Sequence, residues 1–261
     1  MKRYKNDQHF LIDKRVLNRI IEYGDLNSSD VVLEIGAGYG NLTELLAERA
    51  GKVIAVEMDP QLAASINRSQ NLEIVVCDAL KMDFPQFNKV ISNLPYSISS
   101  PVTFKLLGCK FDLGILMYQH EFAKRMVAVP GSKDYGRLSI TVQYYADVQI
   151  LEVVPQGAFS TPPEVNSAIV KLIPRPAPYT VKDENFFMRF LIAVFSQRRK
   201  TIKNAILNNT GLLGIRDNAL GTIPNEILKK RAEVLLPREL AELADLLYDK
   251  KNINLFSPEK I

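Results

Sequence analysis

The residues with the most chemical content are two acids and a run of glycines, spaced as a nucleoside site needs them. Three of the 13 glycines fall in Gly36-Ala37-Gly38-Tyr39-Gly40, directly after the apolar run Val31-Val32-Leu33-Glu34-Ile35. Glycine there permits a tight turn and lets a ligand approach the backbone. Glu57 ends the next apolar run, 21 residues after Gly36, and Asp78 ends a third, another 21 residues on. An acid about 20 residues beyond such a loop can accept both hydroxyls of a ribose. An acid at the following strand end can accept from an adenine amino group. A dinucleotide fingerprint requires glycine at position 41, where this chain has Asn41. The loop therefore suits a smaller ligand that lacks a pyrophosphate. Taken singly, Glu57 and Asp78 read equally as solvated strand ends; the glycine loop beside them favours the nucleoside.

A fourth apolar run, Val90-Ile91-Ser92, leads into Asn93-Leu94-Pro95-Tyr96. Read alone, that is a β-turn after a strand. At the same sheet edge as the acids it resembles the motif of methyltransferases that act on exocyclic amino groups of nucleobases. The glycine loop and acids together resemble class I S-adenosylmethionine-dependent methyltransferases. That resemblance implies S-adenosyl-L-methionine as cofactor, with Gly36 and Gly38 against its methionine part, Glu57 on the ribose and Asp78 at the adenine. Glu34 falls where the family often has an acid and is expected to orient the loop.

The chemistry suits these residue types. An adenine amino nitrogen is a poor nucleophile, because its lone pair is delocalised into the ring. Hydrogen bonds from its two N–H groups to the Asn93 side-chain oxygen and the Pro95 carbonyl would favour a pyramidal nitrogen. Proline holds that turn rigid. Tyr96 would stack on the base without needing its hydroxyl. No strong base is expected, since the cofactor's sulfonium supplies the driving force.

Elements that could position these residues are legible along the chain. Val53-Ile54-Ala55-Val56, Leu72-Glu73-Ile74-Val75-Val76 and Leu113-Gly114-Ile115-Leu116-Met117 also read as buried strands. Helical spacing separates them, as in Leu42, Leu45, Leu46 and Arg49, then Leu62, Ala63 and Ile66. The alternation predicts an α/β fold with a doubly wound, mostly parallel Rossmann-like sheet. Val148–Val154 and Ala168–Ile173 would extend it as an antiparallel edge pair. Pro174-Arg175-Pro176-Ala177-Pro178 reads as an extended break. It divides the chain into a cofactor-binding catalytic domain, 1–177, and a helical domain, 178–261. Phe187, Phe190, Leu191, Val194 and Phe195 form that domain's apolar stripe, and Pro237 opens a helix carrying Leu240, Leu243, Ala244 and Leu247.

Over nearly the whole length the sequence resembles the small-subunit ribosomal RNA adenine dimethyltransferases. Gln8-His9-Phe10-Leu11 is similar to their N-terminal segment, which implies that Gln8, His9 and Leu11 lie at the cofactor. Asn93 through Ser99, Gln119 through Arg125 and Tyr135 through Ser139 follow the family's pattern. Phe159, with Pro162-Pro163-Glu164-Val165-Asn166-Ser167, resembles the loop that supplies a second aromatic over the target base; a core role is the other reading of Phe159. Phe195-Ser196-Gln197-Arg198-Arg199-Lys200 resembles a basic helix motif. Arg198, Arg199, Lys200 and Lys203 are expected on one helix, either contacting RNA phosphates or forming a solvated face. Asp7, where glycine is commoner, and Thr161, where proline is commoner, depart from the pattern. The resemblance implies transfer of two methyl groups to N6 of each of two adjacent adenines near the 3′ end of the small-subunit RNA, within an immature subunit.

Composition bounds the alternatives. With 47% hydrophobic and 24% charged residues the chain is an ordinary folded protein. A net charge of +4, from 33 Lys and Arg against 29 Asp and Glu, is compatible with nucleic acid without arguing for it. Cys77 and Cys109 make no disulfide framework, and with His9 and His120 they lack metal-ligand spacing, so no metal is expected. No apolar run reaches membrane-spanning length and no signal core follows the basic start, so a cytoplasmic protein without a membrane partner is expected. Competing readings are an adenine methyltransferase of DNA or large-subunit RNA, and an assembly or nucleic-acid-binding factor in which methylation is secondary.

Overall fold

The computed structural model describes residues 9–253. Packing groups the chain into two units, the first holding the chain to Val127 together with Tyr145–Pro176 and the second holding Ala128–Tyr144 and the chain from Ala177 onward. The proline-rich stretch thus ends the first unit, and an inserted segment, Ala128–Tyr144, joins the second.

The first unit is an α/β sheet of seven strands: β1 (Val31–Ile35), β2 (Lys52–Glu57), β3 (Leu72–Val76), β4 (Lys89–Asn93), β5 (Leu113–Gln119), β6 (Ala146–Val154) and β7 (Ser167–Pro174). Their spatial order is β3-β2-β1-β4-β5-β7-β6. The first five are parallel, and their apolar runs are buried almost without interruption in β1, β2 and β4, as strands covered on both faces must be. β6 and β7 form the expected antiparallel edge pair. A short connection, residues 155–166, cannot make a parallel crossover, so β7 runs back against β6 and slots in beside β5.

The first unit's helices are α1 (Lys14–Gly24), α2 (Asn41–Ala47), α3 (Pro60–Ser65), α4 (Ser99–Leu107) and α5 (His120–Met126). Asp13 caps α1, accepting from the Arg15 and Val16 N–H groups, and Val16, Leu17 and Ile20 pack into the core with Val32, Ile91, Ile115 and Met117. The sheet order reverses between β1 and β4, the point where open α/β sheets bind ligands. There the two strands part. Their paired register covers Val32–Lys89 and Leu33–Val90, and beyond it the Ile35 N–H donates to Ser92 Oγ at 2.8 Å.

The second unit is helical: α6 (Arg137–Tyr145), α7 (Glu184–Phe195), α8 (Ile202–Leu207), α9 (Thr210–Leu213), α10 (Asn225–Lys229) and α11 (Pro237–Ile253). Phe186, Phe187, Phe190, Leu191 and Val194 of α7 are buried, as are Leu240, Leu243, Ala244 and Leu247 of α11. The inserted segment is tied in by the Tyr135 hydroxyl, which donates to the Leu235 carbonyl at 3.0 Å. No helix among the described residues is long and apolar enough to cross a membrane.

Candidate active site

A cleft opens at the carboxyl ends of β1, β2, β3 and β4, with about 930 Å³ of space including its solvent mouth, on the scale of a small-molecule site. Gly36, Gly38, Glu57, Asp78 and Asn93 through Ile98 line it. Gly36 has φ 78°, and a Cβ there would lie 2.8 Å from Pro95 Cδ. Only glycine lets the loop after β1 pass the proline after β4. Gly38, at φ 58°, lies equally close under the Phe10 ring, and its N–H donates to Glu57 Oε2 at 2.8 Å.

The second Glu57 oxygen accepts from the Asp59 N–H at 2.9 Å. A carboxylate offers about four acceptor positions, so holding the loop leaves Glu57 capacity for a ligand's hydroxyls. Asp78 Oδ1 accepts from the Leu80 N–H at 3.0 Å, folding the next residues into the cleft wall. Lys105 of α4 secures that wall: its Nζ donates to the carbonyls of Ala79 and Met82 and lies over the Phe84 ring. Behind the loop, burial pushes the Glu34 carboxyl up to about 8, with the charge of Glu57 adding to the rise. Glu34 is therefore mostly protonated at neutral pH.

The Asn93 side-chain N–H donates to the His9 carbonyl at 3.0 Å. That bond aims the other end of the amide: Asn93 Oδ1 is buried and has no hydrogen-bond partner among the described residues. A buried acceptor left open at a cleft costs free energy until a donor arrives. Tyr96 begins a 3-10 turn, Tyr96–Ile98, with its hydroxyl 2.5 Å from Ser167 Oγ and its ring stacked on His9 at 5.3 Å between centroids. His9 Nδ1 donates to the Thr161 carbonyl at 2.8 Å.

Three expectations are corrected here, those for the Pro95 carbonyl, Phe159 and the basic residues. The Pro95 carbonyl is engaged by its own turn, accepting from the Ile98 N–H at 3.2 Å and from Ser99 Oγ at 3.5 Å. No donor among the described residues reaches the preceding carbonyl, that of buried Leu94. Phe10 lines the cleft, while Leu11, its side chain buried in the core, borders an adjoining recess with Gly36, Gly38 and Asn93. Phe159 is 3% exposed, bridged to Leu11 in antiparallel fashion and packed among Leu11, Val154, Ala158 and Ile169, which makes it a core aromatic in this structure. The basic residues do not share one helix. Arg198, Arg199 and Lys200 lie in the turn after α7, and Lys203 lies on α8, because Thr201 caps α8 and starts it afresh.

Of these four basic residues, Arg198 is committed within its unit, donating to the Lys133 and Tyr135 carbonyls and pairing with Glu233. Arg199, Lys200 and Lys203 are exposed. A second basic run, Lys229-Lys230-Arg231, had no spacing signal to mark it, yet the Ile202 N–H donates to the Lys230 carbonyl and brings that run beside the first. Gln8 lies outside the described residues.

A seven-stranded sheet in this order, with its cleft at the β1–β4 reversal, defines the α/β methyltransferase fold. Within that class the chain belongs to the ribosomal RNA adenine dimethylase family, whose model matches residues 1–234. A Methanosarcina mazei protein named "Probable ribosomal RNA small subunit methyltransferase A" is 57% identical over 254 residues, covering 95% of this chain and 94% of its own length. One so named in Methanococcoides burtonii is 49% identical over 253 residues, with coverage of 95% and 94%. Among solved structures, a dimethyladenosine transferase from Plasmodium falciparum superposes with a TM-score of 0.77 at 32% identity, over 94% of this chain and 98% of that one. The 23S rRNA methyltransferase ErmE gives 0.66 at 26% identity, over 92% and 99%.

Proposed function

We propose that this protein uses S-adenosyl-L-methionine to dimethylate N6 of two adjacent adenines near the 3′ end of small-subunit ribosomal RNA, in an immature small subunit in the cytoplasm. The single observation that carries this reading is the buried Asn93 Oδ1, without a partner among the described residues, at a cleft walled by Gly36, Gly38, Glu57 and Asp78. The residues fit the cofactor: Glu57 has free acceptor positions for the ribose, Asp78 stands by for the adenine, and the glycine loop admits the methionine part. When bound, that cofactor supplies a methyl group made electrophilic by its sulfonium.

The chain's own work is positioning. Asn93 Oδ1 accepts one N–H of the target amino group. The Leu94 carbonyl, rather than that of Pro95, is the better second acceptor because its neighbour is committed to the turn. Both bonds favour a pyramidal nitrogen with its lone pair turned away from these two acceptors and toward the donor's methyl group. Tyr96 offers its ring to the unstacked base, which must leave its helix to reach the cleft. The proton lost at each transfer leaves a strongly acidic alkylated nitrogen, so water suffices as acceptor. Arg199, Lys200, Lys203 and the run Lys229–Arg231 supply phosphate contacts from the second unit.

Purified small subunits, large subunits, naked ribosomal RNA and duplex DNA, each incubated with protein and labelled methyl donor, separate the readings. Nucleoside mass spectrometry is expected to find N6,N6-dimethyladenosine in the small subunits. The Asn93→Ala variant is expected to lose at least about 100-fold in rate while still binding subunits. Label confined to large subunits or to DNA would overturn the assignment.

A further inference from the structure

Ser167 is the first residue of β7, fully buried, and in register with Gln119 of β5 on one side and Val154 of β6 on the other. A polar side chain in that position is costly unless bonded, and its hydroxyl lies 2.5 Å from the hydroxyl of Tyr96. Tyr96 itself stands on a three-residue 3-10 turn rather than on a strand or a long helix. Such a turn fixes the tyrosine's Cα but leaves the far end of its ring to be fixed by something else. Here the ring packs on His9, and its far end is tethered to the first residue of a strand paired on both sides.

Resting on the reading that Tyr96 stacks on the target adenine, we propose that Ser167 is a positioning residue: its hydroxyl fixes the plane of the Tyr96 ring, and this tether governs the second methyl transfer more strongly than the first. The reason lies in the substrate's hydrogens. Each transfer forms one N–C bond, breaks the donor's S–methyl bond and releases one proton from nitrogen. The unmethylated amino group has two N–H bonds, enough for both Asn93 Oδ1 and a backbone carbonyl. After one transfer a single N–H remains, and a methyl group occupies the other position. Hydrogen bonding then holds the nitrogen at one point only, so rotation about that point is limited by the ring against which the base lies. A ring free to tilt costs little in the first step and much in the second.

Ser167→Ala, Tyr96→Phe and the double variant are compared by time courses of N6-methyladenosine and N6,N6-dimethyladenosine in small subunits. Removing this one neutral hydrogen bond is expected to slow the second transfer by roughly three- to tenfold and the first by less than about twofold, so that the monomethylated base accumulates. The double variant should match either single one, since all three lose the same bond. A residue needed only for folding would lower both steps alike. If Ser167→Ala does not fold, Tyr96→Phe, which keeps the ring, carries the test. An unchanged ratio of the two products in Tyr96→Phe, or a ratio shifted only in Ser167→Ala, overturns the tether. Full activity in Tyr96→Ala would instead overturn the stacking role on which the inference rests.

Discussion

The two ends of the β1–β4 junction are built from the same strands and treat buried polar groups in opposite ways. At the amino end Lys89 Nζ reaches Asp30 at 3.0 Å and donates to the carbonyls of Gly24 and Asp25, while Asn88 donates to Asp30 and accepts from the Val31 N–H. Burial by itself would raise the Asp30 carboxyl, but hydrogen bonds from Asn88, the Asn27 N–H and Lys89 hold it below its ordinary value. At the carboxyl end burial keeps Glu34 mostly protonated at neutral pH, Asn93 Oδ1 has no partner among the described residues and Glu57 uses part of its accepting capacity. One end closes its charges on itself and stabilises the fold; the other leaves acceptors open, which is destabilising until a ligand fills them.

If that contrast is real, damage to the closed end should appear as lost stability. Lys89→Met leaves Asp30 buried without its cation, and chemical denaturation should report a loss of about 3–5 kcal/mol. A loss under about 1 kcal/mol would mean that the amino end is not the stabilising one.

The open end should show the reverse, with a smaller effect that depends on pH. Glu34 has its proton at neutral pH in the folded state and loses it near its ordinary value of 4.5 when unfolded. Between those values the native state holds the extra proton. The stability that this proton confers is fully present below about pH 4.5 and is lost as pH rises toward 8. Glu34→Gln removes that slope, so its unfolding free energy relative to the parent should rise by roughly 2–4 kcal/mol between pH 5 and pH 8. A constant difference across that range would contradict a neutral Glu34.

Much of this was legible in the sequence because its causes are local. Short runs rich in Val, Ile and Leu marked all seven strands, and glycines and acids at strand ends marked the cleft. Helix α1 is absent from the sequence reading, although Asp13 caps it and Val16, Leu17 and Ile20 fall at helical spacing with polar residues between them. What stayed hidden depends on contacts between distant positions. The bridge between Leu11 and Phe159 turns both side chains to the core, and no pattern near either residue encodes it. The Tyr96 hydroxyl, unnecessary for stacking, finds its partner 71 residues away. Ala128–Tyr144 joins the helical unit although no composition shift marks either end of it. The break before α8 was readable after all, since Thr201 is a good helix cap and its hydroxyl accepts from the Asn204 N–H.

A crystal structure of the protein with its methyl donor bound tests the core of this account most directly. The donor's ribose hydroxyls should lie against Glu57, its adenine amino group at Asp78, and its methyl group facing the space beside Asn93 Oδ1. A donor seated anywhere other than the carboxyl ends of β1 through β4 would contradict it.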